Sequence, residues 1–355
     1  MYKKFFMGIA AMAALTLVSC SSDDLDSFSD NSSKNEAISF DGYLGRSAVA
    51  VNGTRGSVLD NKTLPSAGFG VFGNYSSTED ETFGFNLFKN QKVTGTISNG
   101  STTWTYGDVK YWPSKGHIDF WAYAPHDAKY DDVNALKGSK INFTVEKTVT
   151  AQKDLLWANA TKQTIQKIAG TGNKVKFHFA HALSRLGFTV KLNGKPSTDA
   201  TITLKSIKLA GSATESTPGA FYTGGDLDLA TGKWNPTTLI NKQNLDWFSG
   251  SEKVTSASKS NTDLKTDYLF VIPQEFSAPN GLYVIVEYDI TYKGITEPMT
   301  NTVHKQLTPD FKQGKAYMIN LTIGRPIEFD ADVTDWTGEG NSETGIGINS
   351  WDDIK

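Results

Sequence analysis

The sequence predicts an all-β protein made of two tandem antiparallel β-sandwich domains behind an export segment. Three observations carry this. Apolar and polar residues alternate with period two in Lys140–Glu146, in Leu186, Phe188, Val190 and Leu192, in Leu282 to Tyr292, and in Ile327, Phe329, Ala331 and Val333. Such alternation marks half-buried antiparallel strands. Turn clusters separate the runs: Asn99-Gly100-Ser101, Asn193-Gly194-Lys195-Pro196 and Pro279-Asn280-Gly281. No long window has helical period, although His181 to Leu186 suits a single helical turn and Asn235 to Phe248 is irregular. Many short strands between such turns imply sandwiches.

Residues 1–19 read as a lipoprotein signal peptide. Lys3 and Lys4 form a positive start, and Phe5 to Val18 runs without a charge. That run of roughly 14 residues is too short to cross a hydrocarbon core about 30 Å thick, and fits a secretory h-region. Small residues then lead to Cys20, the only cysteine in the chain. A lone thiol at a cleavage position cannot form an intramolecular disulfide, and lipidation of Cys20 explains it better. The precursor would then be held to a membrane by lipid. Residues 20–36, acidic and serine-rich, make a flexible tether because they carry too little apolar surface to fold.

The strand pattern starts at Ala37. The polar Asn193–Asp199 turn divides it into an N-terminal sandwich at 37–193 and a C-terminal one at 199–336, a plausible length for about two domains. Residues 337–355 form a tail in which Ile346 and Ile348 alternate with glycine and asparagine, either a small strand or a disordered tail.

Composition excludes some classes and leaves others open. The chain is 38% hydrophobic and 12% aromatic, with 35 basic and 38 acidic residues and net charge −3. Cores can form, and no basic cluster invites nucleic acid. Catalytic motifs are missing: there is no serine elbow and no phosphate-binding glycine loop. Among the five histidines (His117, His126, His178, His181 and His304) only His178 and His181 are spaced like ligands. Three apart on a strand, they point to opposite faces. Asp226 with Asp228, and Asp330 with Asp332, share strand faces but lack the rest of a calcium loop. No catalytic residue, metal or cofactor is expected. Trp104, Tyr106, Tyr111, Trp112, Trp121, Tyr123 and Tyr130 offer either a platform for sugar rings, and hence a surface glycan-binding lipoprotein, or core packing, which the alternation favours.

Several blocks together resemble the fimbrillin-like (Mfa-like) pilins of type V pili. They are Gly68–Phe72 (GFGVF), Val109–Pro113 (VKYWP), Ile118–Pro125 (IDFWAYAP), Asp154–Ala158 (DLLWA), Phe177–Arg185 (FHFAHALSR), Tyr268–Pro273 (YLFVIP), Gly314–Leu321 (GKAYMINL) and Val333–Trp336 (VTDW). The resemblance implies transthyretin-like sandwiches and a structural, non-enzymatic subunit with an adhesion or biofilm role. It also implies arginine-specific removal of an N-terminal strand, then insertion of a strand from another subunit, for which the small strand pattern at Ile346 and Ile348 is the candidate donor. Partners would be other fimbrillin-like subunits joined head to tail, with a host or bacterial surface ligand open. Ala37–Phe40 and Ala48–Val51 are short strand candidates near Arg46 and Arg55. Arg55, within Gly53-Thr54-Arg55-Gly56, resembles the family's cleavage context more closely than Arg46.

Overall fold

The computed structural model describes residues 36–44, 58–79, 84–131, 140–194, 198–215, 219–236, 242–279, 281–324, 328–335 and 344–346, the last two stretches as backbone only. Strands dominate, and the helices among these residues are single turns, such as α1 (Leu64–Ala67) and α2 (Ile165–Ile168). No helix among the described residues is long and apolar enough to cross a membrane.

The first strands are β1 (Phe40–Leu44), β2 (Phe69–Ser76), β3 (Phe85–Ser98), β4 (Ser101–Thr105) and β5 (His117–Ala124). They are followed by β6 (Lys140–Thr144), β7 (Leu156–Gln163), β8 (Val175–His181), β9 (Ser184–Leu192) and β10 (Ala200–Ala210). Seven of them form one sheet in the order β1-β8-β7-β5-β2-β3-β4. Every neighbouring pair is antiparallel except β1 with β8. The β3–β4 hairpin turns through Asn99 and Gly100 at φ 50° and 78°, as a tight turn between right-twisted strands requires. The sheet wraps round its own core, so that Phe40 on one edge strand meets Phe88 of β3.

The second half is a sandwich of two sheets. One has the order Leu245–Val254, β10, Leu282–Tyr292, Met299–Leu307. The other includes β9, Lys315–Ile323, Glu328–Asp335 and Thr344–Ile346. Between them lie Phe188, Leu204, Trp247, Val284 and Leu321, all buried. Alternation reads cleanly here because each strand has one face on this core.

A third core joins the halves. Phe72, Trp121 and Tyr123 project from the face of the first sheet opposite its own core, towards Ile141, Leu227 and Phe270. Strand β6 pairs with Gly224–Asp228, so hydrogen bonds cross as well. Every residue of β5 is buried as a result. Pairing partners change at Ala182-Leu183, because β9 joins C-terminal strands although it precedes the Asn193–Asp199 turn.

The helical turn expected at His181–Leu186 is absent. His181 ends β8, Ser184 starts β9, and Ala182 and Leu183 between them are fully buried in the third core. Their backbone groups bond outside any helix: Ala182 N donates to Leu155 O at 2.7 Å, and Gly314 N to Leu183 O at 3.0 Å. Tertiary partners outweigh a local turn that would satisfy only itself.

Candidate assembly site

Strand β1 is short, lies on an edge, and yet completes a core. Ile38, Phe40 and Leu44 point inward, with exposures of 1%, 2% and 5%. Phe40 sits among four rings: Phe88 at 5.4 Å, Tyr106 at 5.4 Å, Phe120 at 5.5 Å and Phe177 at 5.7 Å between centroids. Burying each such side chain contributes roughly 1.5–3 kcal/mol. The strand runs parallel to β8, with Phe40 beside Val175, Gly42 beside Phe177 and Leu44 beside Phe179.

Gly42 marks the tightest point. A Cβ there would lie 3.0 Å from the Phe69 ring and 3.1 Å from the Phe179 ring. Glycine within a strand often signals such close approach. This is why the alternation fades after Phe40, and why the sequence shows a strand at Ala37–Phe40 rather than one reaching Leu44.

Polar groups fasten both ends of β1. Tyr106 Oη donates to Ile38 O at 2.6 Å, and burial raises that phenol above its ordinary 10.0, opposed by a hydrogen bond with the Lys110 backbone. Ile38 N donates to Lys110 O at 2.8 Å and Trp112 N to Glu36 O at 3.0 Å. At the far end Asn61 accepts from Leu44 N at 2.8 Å and donates to Leu44 O at 3.2 Å. On the outer face Tyr43 Oη lies 2.8 Å from a ring nitrogen of His178.

The chain resumes at Val58 with another anchor. Leu59 N donates to the carboxylate of Asp154 at 3.0 Å, and His181 Nδ1 lies 2.9 Å from the same carboxylate. Asp154 is fully buried. Thus His181 faces the interior while His178 faces solvent, and the two cannot share one ion. The remaining histidines are scattered: His117 pairs with Asp119 at 3.4 Å, His126 lies 3.3 Å from Asn90 O, and the His304 ring is 6.0 Å from that of Tyr283. Asp226 accepts from Asn142 and Asp228 from the Ala230 backbone, both at 2.8 Å, as solvated strand residues do.

The aromatic run packs inward. Trp104, Trp112, Trp121, Tyr123 and Tyr130 are buried, Tyr106 is half-buried, and among the seven only Tyr111 is exposed, at 54%. A row of rings for stacking on sugars is therefore not presented by these residues. The reason is structural: β5 has a core on each side.

Of the residues nominated from sequence, Cys20, Arg46, Arg55 and Ile348 lie outside the described residues, as does 48–51. Ile346 closes the strand Thr344–Ile346, opposite Ala331 on the neighbouring strand. Tyr106, Asn61 and Asp154 escaped sequence reasoning as anchors, since a single polar residue in a loop or strand end has no periodic signature.

Comparison with known proteins converges on one group. A family model described as fimbrillin-like matches residues 54–336. A Bacteroides uniformis protein named as a candidate fimbrium subunit, Fim1C, is 27% identical over 254 residues, covering 70% of this chain and 72% of that protein. The crystal structure of a fimbrial protein from Bacteroides vulgatus superposes with a TM-score of 0.62 at 22% identity, covering 84% of this chain and 99% of the other. That of a candidate cell adhesion protein from Bacteroides uniformis gives 0.51 at 19% identity, covering 85% and 99%.

Proposed function

This chain belongs to the fimbrillin-like family, and from that we propose that it is a structural pilin subunit assembled by exchange of an edge strand. The observation that carries the reading is β1. With Ile38 just before it, it fills a core with three apolar side chains, yet it is linked to the following part of the chain only through residues 45–57. That link contains Arg46 and Arg55, two of the four arginines in the sequence. The others are poor targets: Arg185 is half-buried within β9, and Arg325 is followed by Pro326. A cut after Arg55 or Arg46 severs β1 from the fold it completes.

Loss of β1 would leave the β8 backbone unpaired and expose Val175, Phe177 and Phe179 together with the rings round Phe40. An apolar groove beside an unpaired edge accepts an extended strand, which restores hydrogen bonds and burial at once. Donor and acceptor surfaces differ, so the contact is head-to-tail and propagates as a filament. The donor is drawn from the C-terminal segment, which holds the strands at 328–335 and 344–346 together with Ile346 and Ile348. Lipid on Cys20 carries the precursor to the outer membrane, and the cut then releases the anchor along with β1. The partners are other fimbrillin-like subunits, the mature location is the surface pilus, and the role is structural rather than catalytic. Contact with a host or bacterial surface would be made by the assembled pilus.

The test is a pair of conservative changes. Arg55→Lys with Arg46→Lys keeps the charge but denies the cut. We expect wild-type protein treated with an arginine-specific protease to form SDS-resistant ladders and the double variant to remain monomeric. Ladders of equal extent from both would refute processing at these arginines.

A further inference from the structure

One sheet of the C-terminal sandwich ends on a strand suited to meet its own copy. In the order Leu245–Val254, β10, Leu282–Tyr292, Met299–Leu307, the last strand has a neighbour on one side only among the described residues. It is nine residues long, holds no proline or glycine, and Lys305 is its only Lys, Arg, Asp or Glu. Its pairing with Leu282–Tyr292 runs without a register shift from Leu282 beside Leu307 to Ile290 beside Met299. Edges are ordinarily blunted by charges, prolines, bulges or shortness. The opposite edge of the same sheet is blunted: Leu245–Val254 shifts register twice against β10 and carries Asp246, Glu252 and Lys253. The β4 edge of the seven-stranded sheet has only five residues.

We propose that Met299–Leu307 pairs antiparallel with the same strand of a second copy, about a two-fold axis through Val303. The side-chain pattern selects this register. Met299, Asn301, Val303, Lys305 and Leu307 share the core side, beside Ile290, Tyr288, Val286, Val284 and Leu282, while Thr300, Thr302, His304 and Gln306 face away from it. With Val303 opposite itself, Met299 meets Leu307, Asn301 meets Lys305, Thr300 meets Gln306 and Thr302 meets His304. Apolar side chains meet apolar ones, polar meet polar, and no like charges oppose. Met299, 49% exposed in the single chain, gains an apolar neighbour.

Other registers fit worse. An axis at Thr302 sets Met299 against Lys305 and Asn301 against Val303. An axis at His304 sets Val303 against Lys305 and Asn301 against Leu307. Lys305 also makes the edge selective: a core-side lysine deters a foreign strand, whereas the copy brings the Asn301 amide oxygen to accept from it. The contact is isologous, lies on the other half of the chain from β1, and does not depend on strand exchange. A nine-residue edge is small, so single subunits associate weakly. Strung in a filament, as in the reading above, the same contact repeats along two neighbouring filaments and holds them side by side by avidity.

Disulfide trapping reads the register in full-length protein carrying Cys20→Ser, which removes the native thiol. Thr302→Cys protein mixed with His304→Cys protein should give a covalent dimer on oxidation, since directly opposed Cα atoms lie about 4.5–5.5 Å apart. Either protein alone should give about tenfold less, because each of these residues meets its own copy only diagonally, at about 7–8 Å, beyond disulfide reach. Both positions are exposed, so neither change disturbs the core. Asn301→Lys sets lysines against both Lys305 side chains, and Asn301→Glu sets carboxylates there. Two such pairs form per dimer, so the dissociation constant from sedimentation equilibrium should rise roughly threefold or more with lysine and fall by a similar factor with glutamate. Equal links from the mixture and from either protein alone, no link in any sample, or lysine and glutamate variants that associate alike would overturn the proposal. Each of these results would leave strand exchange at β1 standing.

Discussion

At the scale of single residues, one ring and one hydroxyl add to the backbone pairing that holds β1. Phe40 touches four aromatic side chains, and truncation to alanine removes those contacts while leaving a cavity. We expect Phe40→Ala to lower the unfolding free energy of the uncut chain by about 3–5 kcal/mol in urea titrations. The same change should have no effect once β1 has been cleaved and released, which separates a β1 contribution from a global defect. Tyr106 adds a titratable contact. Its hydroxyl donates to Ile38 O, and burial raises its pKa above 10.0, so the folded state favours the neutral phenol. That stability is fully present below the unfolded value and is lost as pH rises through the higher folded value. Tyr106→Phe should cost about 0.5–1.5 kcal/mol at neutral pH and flatten the fall in β1 retention above pH 10, followed as release of the β1 fragment from nicked protein.

At the scale of elements, legibility followed exposure. The β3–β4 turn was visible because Asn99-Gly100 has a conformational reason to be there, and strand Leu282–Tyr292 because only one face is covered. Strand β5 was recognisable by composition but not by period, since both faces are buried. The aromatic residues around it therefore looked like either a platform or a core until the third cluster was located. The link at Ala182-Leu183 failed as a local prediction because Leu155, Gly314 and Trp234 supply its hydrogen-bond partners from far along the chain. The candidate site was half legible. Alternation found Ile38 and Phe40, but nothing in the sequence tied Gly42 to Phe69 and Phe179, which are distant in number and adjacent in space. The family-like blocks gain a reason here: Asp154 and His181, from two of them, together hold the backbone of Leu59 just beyond the arginines. A cut at Arg55 would thus leave a new end that is already anchored.

At the scale of the whole molecule, the proposed assembly turns on one detachable strand. On the strand-exchange proposal, β1 covers the groove until the link at 45–57 is cut. Cys20 and β1 lie on the same side of that link in sequence, so on the strand-exchange proposal one cleavage would free a lipidated precursor from the membrane and open it to its neighbour. The second half holds a C-terminal strand, Glu328–Asp335, paired near the edge of its own sheet. The most direct test is the amino-terminal sequence and mass of subunits recovered from surface polymer. Strand exchange after processing predicts a start at Gly56, or at Ser47 if Arg46 is used, with no lipid attached. Polymerised subunits that begin at a lipidated Cys20 and still contain residues 36–44 would contradict it.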